Sequence, residues 1–149
     1  MRRLTTGVLL YFFFGLGLCA QTVEGTWMTF DIFDASKAES IVEIYSDNGG
    51  MSMRVVHIIP EEHKKDLCKK CEAGKKDQPI LGMQILAKAT KEGDLWKGAK
   101  ILNAKNGRWY GCHFQLTSPN RLKVRGFIGY PLFGKNLIWK RVDQDFKLI

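Results

Sequence analysis

Past its first twenty residues this 149-residue chain has no apolar run long enough to cross a membrane as a helix, which takes roughly 20 such residues. It also lacks an amphipathic run that reads as a long helix, an internal repeat and a low-complexity segment. The linear marks of common catalytic centres are missing: no Gly-x-Ser-x-Gly elbow, His-Glu-x-x-His pair or glycine-rich phosphate loop occurs. These absences leave no motif-based case for an enzyme, although a site assembled from strands leaves no linear signature. Cysteine is scarce. Of four, Cys19 belongs to the leader described below, which leaves Cys68, Cys71 and Cys112, an odd count. A zinc site wants four sulfur or nitrogen ligands, and a single Cys-x-x-Cys with no second pair at matching spacing does not supply them.

What is present begins with an export signal. Met1, Arg2 and Arg3 give a positive start and residues 7–18 (GVLLYFFFGLGL) an unbroken apolar run of secretory length. Residues 1–20 read as a signal peptide cleaved near Ala20, and residues 21–149 as a single domain. Lipidation at Cys19 is the weaker reading, because Leu18 stands where a small residue is wanted. The chain carries 23 basic and 15 acidic side chains, a net charge of +8; without Arg2 and Arg3 it is about +6. That mild excess in an exported protein argues against a nucleic-acid partner and for a solvated basic surface.

The mature chain alternates short apolar runs with turn residues. Residues 24–30 alternate weakly, residues 31–40 read as a loop, and residues 41–45 (IVEIY) are β-branched and aromatic. Asp47, Asn48, Gly49 and Gly50 form a strong hairpin signal. A strand follows over residues 51–59, with Met51, Met53, Val55, His57 and Ile59 on one face, and Pro60 stops it. The charged stretch 61–76 reads as a loop. Residues 80–87 read as a strand, 91–98 as a turn region, 99–102 as a short strand and 103–107 as a turn. Residues 108–116 alternate cleanly, with Tyr110, Cys112, Phe114 and Leu116 facing one way. Leu122, Val124, Gly126 and Ile128 then alternate with Arg121, Lys123, Arg125 and Phe127, and the last strand covers roughly residues 135–142. Eight to nine short strands and no long helix predict an all-β, antiparallel up-and-down barrel, since closure removes exposed sheet edges.

Several stretches carry a family pattern: GTW at 25–27, SIVEIY at 40–45, QPILGMQIL at 78–86, NGRWYGC at 106–112 and LKVRGFIGYPLFGKNLIWKRV at 122–142. In order and spacing they resemble the uncharacterised exported bacterial family known as domain of unknown function 2147, and no activity comes with that resemblance. Gly25-x-Trp27 near the mature start, with Trp139 and Arg141 near the end of the last strand, is similar to lipocalin and calycin barrels. There a first-strand Trp packs under an Arg from the closing strand. The resemblance implies that Gly25, Trp27, Trp139 and Arg141 are structural and that Arg141 covers Trp27.

The candidate site is therefore the barrel interior. Tyr110, Phe114, Leu116, Leu122, Val124 and Ile128 are its candidate lining, with Cys112 among them, and the expected occupant is a small hydrophobic or amphipathic ligand or an envelope component, bound without catalysis. A second reading makes the barrel a filled scaffold whose basic face, Arg121, Lys123 and Arg125, meets an anionic envelope surface. A third gives redox or metal chemistry to the Cys68–Cys71 loop. Against it, the motif lacks the strand and helix context in which such pairs are activated, and Cys112 and His113 point to opposite faces. A disulfide drawn from Cys68, Cys71 and Cys112 is the favoured state of these residues in an oxidising compartment. No cofactor and no metal are expected. His57, on an apolar face, reads as a core histidine rather than a base.

Overall fold

The computed structural model describes residues 21–72 and 74–149; the expected leader and Cys19 lie outside them. Eight strands follow in order: β1 (Gly25–Phe30), β2 (Ala38–Asp47), β3 (Gly50–Ile58), β4 (Gln84–Glu92), β5 (Leu95–Asn103), β6 (Arg108–Ser118), β7 (Arg121–Phe127) and β8 (Gly134–Arg141). Each pairs antiparallel with the next, and β8 returns to β1, so the sheet closes into the expected barrel. In such an up-and-down order alternate connections share an end. The turns between β2 and β3, β4 and β5, and β6 and β7 are short and lie at one end, the base. The connections β1–β2, β3–β4, β5–β6 and β7–β8 lie at the other, the mouth.

The hairpin cluster acts as its chemistry requires. Asn48 and Gly49 both take positive φ, 47° and 83°, the geometry whose twist matches the strands it joins. Toward the base, alternate residues of successive strands meet in a packed core in which Trp27, Ile44, Met53, Leu86, Phe114 and Leu122 are fully buried. Trp96 stacks on Phe114 with ring centroids 6.1 Å apart.

Three local readings need correction. Residues 80–83 belong to the long β3–β4 connection, and β4 begins only at Gln84. The Lys91 to Gly98 turn shrinks to Gly93 and Asp94, because β4 and β5 run on past it and Glu92 is ion-paired to Lys97 across it at 2.5 Å. On β3, Val55 pairs with Val42 but His57 pairs with the very next residue back, Ile41, so Val56 is an extra, bulged residue. A bulge reverses the alternation beyond it. His57 therefore leaves the inner face and meets Phe146 of the C-terminal tail, with ring centroids 5.1 Å apart, while Ile58 turns in.

The barrel is closed at its base by one side chain. Only Trp27 with Arg141 and Met28 with Lys140 pair directly between β1 and β8. The Arg141 guanidinium carbon lies 4.2 Å from the centroid of the Trp27 ring. Its nitrogens donate to the carbonyl oxygens of Pro119 at 2.8 Å, Glu24 at 2.9 Å and Thr22 at 2.7 Å. Trp27 in turn donates from Nε1 to the Val23 carbonyl at 2.9 Å. Gly25 is required beside this cluster: its φ is +125°, and a Cβ there would sit 2.7 Å from Arg141 Nη1. One cation thus ties the entering chain, the β6–β7 turn and the closing strand together. Replacing Arg141 with Met is expected to cost about 2–4 kcal/mol, from the lost cation–π contact and charge-assisted bonds. Arg141→Lys should recover less than half of that, because an ammonium cannot reach all these carbonyls with one planar fork. Urea unfolding of both variants measures it, and an unchanged midpoint in Arg141→Met would refute the role.

Candidate functional site

The mouth half of the barrel is hollow. A cavity of ≈ 920 Å³ opens between the mouth connections, within the size range of ligand sites. Val42, Val55, Ile85, Ile101, Val124 and Leu137 form its apolar wall, and Trp139 also lines it. Trp139 is buried, and among the described residues its Nε1 is a buried side-chain donor that meets no acceptor.

A lid borders one side. The β3–β4 connection, residues 59–83, folds on itself through the Cys68–Cys71 disulfide, a Leu67–Pro79 bridge and bonds from Cys68 N to Gln78 O at 2.9 Å and Ile80 N to Asp66 O at 3.0 Å. It contributes His63, Asp66, Leu67, Lys69, Lys70 and Ile80 to the cavity. The Asn106-Gly107 turn between β5 and β6 packs directly beneath it. Gly107 takes φ +72°, and a Cβ there would fall 1.8 Å from the Lys70 carbonyl oxygen. Only glycine lets the two connections touch this closely.

Charge at the mouth is unequal. Of the lining groups, Glu39 is ion-paired with Lys105, and Asp66 takes His63 Nδ1 at 2.9 Å. Lys69, Lys70 and Lys135 line the same cavity with no carboxylate partner among the described residues. Lys135 Nζ instead donates to the Ile32 carbonyl.

The expected lining residues separate into three places. Tyr110 and Val124 line the cavity. Phe114 and Leu122 face inward but lie in the packed core, as does Cys112, with Leu116 partly buried against it. Ile128 is 66% exposed and stands outside, because β7 ends at Phe127 and the alternation does not continue past it. The mouth lysines escaped the sequence reading, since Lys69 and Lys70 in the β3–β4 connection and Lys135 at the start of β8 are far apart in the chain and only closure brings them together. On the outer face Arg125 is drawn into the β7–β8 connection, donating to Pro131 O at 2.7 Å, Asn136 Oδ1 at 2.9 Å and Leu132 O at 3.3 Å. His113 stands edge-on to Phe127 at 4.9 Å; burial, then Lys97 and Arg125, hold its pKa below the ordinary value.

Neither paired cysteine is a thiol in this state, and Cys112 is free and buried. Burial pushes its thiol up to about 12, far from the range of a reactive thiolate.

An eight-stranded, up-and-down antiparallel barrel with a filled base and an open, apolar mouth is a lipocalin-like barrel. In fold it is similar to protein HP1028 from the human pathogen Helicobacter pylori, described as belonging to the lipocalin family. The TM-score is 0.72 at 21% identity over 83% of this chain and 85% of that one. Residues 25–141 match the family described as uncharacterized protein conserved in bacteria, DUF2147, and the chain belongs to that family. No curated protein matches the chain at a significant level.

The cysteine arrangement has a direct test. Native protein should show no thiol reactive toward a disulfide reagent at mildly alkaline pH, and one in denaturant. Because the folded thiol titrates higher than the unfolded one, stability is unaffected below the ordinary value of 9.0 and falls as pH rises from there toward about 12. A fast-reacting native thiol would contradict this placement of Cys112.

Proposed function

We propose that the protein is an exported, non-catalytic carrier that holds a small amphipathic molecule in the mouth of its barrel, apolar part inward and anionic end at the rim. The single observation that carries the reading is the ≈ 920 Å³ cavity whose wall is apolar and whose rim holds Lys69, Lys70 and Lys135 without carboxylate partners among the described residues. Burying a ligand's hydrocarbon against Val42, Val55, Ile101 and Leu137 contributes about 25 cal/mol per Å². The ammonium groups stabilise a carboxylate, sulfate or phosphate where the cavity meets water, and Tyr110 offers a further polar contact. An occupant that reaches Trp139 is favoured if it brings an acceptor oxygen to the unpaired indole N–H.

Export rests on the signal-peptide pattern of residues 1–20, and the Cys68–Cys71 disulfide is compatible with an oxidising compartment. The bacterial family to which the chain belongs is consistent with a periplasmic or secreted protein. N-terminal sequencing of protein from its own host should begin near Gln21, and a start at Met1 would sink this part.

The carrier reading is tested with a long-chain fatty acid and the alcohol of equal length, titrated against wild type, Leu137→Trp and Lys70→Gln/Lys135→Gln. The wild type should prefer the acid. Leu137→Trp, which fills the cavity, should lower affinity for both at least tenfold with the circular dichroism spectrum unchanged, and the lysine variant should remove most of the preference. Equal binding by wild type and Leu137→Trp would exclude the cavity as the site. Absence of any bound molecule in native mass spectra of host-derived protein, together with no uptake of either probe, would overturn the reading.

A further inference from the structure

Residues 95–142, which make up β5 to β8 and their connections, contain ten Lys and Arg and no Asp or Glu. These four strands are consecutive in the closed sheet, so one half of the barrel wall supplies positive charge alone. Lys97 and Lys105 are paired to acids from the other half, whereas Lys100, Arg108, Lys123 and Lys140 make no ion pair among the described residues.

At the mouth end of this wall large apolar side chains stand in water. The β7–β8 connection exposes Ile128, Tyr130, Leu132 (80%) and Phe133 (71%), and the neighbouring β1–β2 connection exposes Phe33 (91%). Scattered exposed apolar residues are ordinary, but a contiguous group marks a contact surface. These are held in place. Arg125 bonds the carbonyls of Pro131 and Leu132 from below. Lys135 bonds the Ile32 carbonyl and lies 4.9 Å over the Phe33 ring, which joins the two connections. Asp31 accepts from the backbone N–H of Phe33 at 2.7 Å and of Asp34 at 3.0 Å, fixing the Phe33 turn. Beside Ile128, an open outer groove of ≈ 780 Å³ is lined by Lys100, Arg108, Trp109 and Tyr110, with Glu72 the one carboxylate among its described lining residues.

We propose that this end of the barrel docks on an anionic lipid bilayer, with Phe33 and the 128–133 connection entering the headgroup boundary and Lys100 and Arg108 facing lipid phosphates. Aromatic and aliphatic side chains at one level, flanked by unpaired cations, form the pattern of an interfacial contact, in which apolar burial and attraction to anionic lipid add. A second copy fits less well. A symmetric pair through the fringe would set two acid-free walls side by side, like charge against like. The inference goes beyond the carrier reading: Ile128, Tyr130, Leu132, Phe133, Lys100 and Arg108 lie outside the cavity, and only Phe33 also borders its rim.

The test is flotation of the mature chain with vesicles of phosphatidylglycerol and phosphatidylethanolamine, against vesicles of phosphatidylcholine alone. Wild type should float with the anionic vesicles and bind neutral ones at least about tenfold more weakly. Ile128→Ser/Leu132→Ser/Phe133→Ser, all exposed positions outside the cavity, should lower anionic-vesicle affinity roughly tenfold or more while keeping fatty-acid uptake in vesicle-free solution. Lys100→Glu/Arg108→Glu should weaken the same binding. The proposal is overturned if wild type stays soluble with every vesicle, or if the triple variant floats as well as wild type. A lipid-free dimer that the triple variant abolishes would assign the fringe to a second copy instead. Retained uptake in a variant that no longer floats separates this outcome from any failure of the carrier reading.

Discussion

The contact of Arg141 with Trp27 is the constraint on which the barrel depends. The β1–β8 seam joins residues that are more than a hundred positions apart, so it closes last in any local sense and must offset the largest loop entropy in the fold. Its ladder is short, with two directly paired residues on each side. A guanidinium that stacks on the indole and reaches carbonyls from the amino-terminal segment and the β6–β7 turn adds strength where the ladder is weakest. An open seam would leave two sheet edges unpaired, the hazard that barrel closure removes.

This explains how the mouth can be hollow. Cores stabilise by filling, and the base half does so with Trp27, Phe114, Met53 and Leu122. The mouth half keeps apolar walls apart around a cavity, which forgoes packing, so its shape is carried by the ladders below and by its connections. The disulfide-braced lid resting on Gly107, and the Arg125 and Lys135 bonds under the β7–β8 connection, serve that purpose. Rigid connections around an open end let one small barrel present an apolar interior, a basic rim and an apolar fringe at one place.

Much of this was readable in the residues. The alternation of Tyr110, Cys112, Phe114 and Leu116, the Asn-Gly turns, and Gly25-x-Trp27 with a late Arg141 led to a closed barrel of eight to nine strands, of which the structure has eight, and to its base. Periodicity failed where geometry broke it. The bulge at Val56 turned His57 outward, and the end of β7 at Phe127 left Ile128 in water. Composition also misled at Ile80 to Met83, whose apolar character serves the lid and the cavity edge rather than a strand. The acid-free run 95–142 was present in the sequence, but its meaning needs four of its strands to be neighbours.

The sequence by itself determined the period of each strand, the sites of its turns and the inward sign of most positions, because these depend on contacts between residues close in the chain. Only the tertiary structure decided which inward positions are packed and which enclose space. That division depends on how far each strand is staggered around the barrel, and stagger is set by ladder register between strands rather than by any one strand. The same holds for the mouth. Lys69, Lys70, Lys105 and Lys135 share a rim only because closure brings two separate connections and the start of β8 to one end.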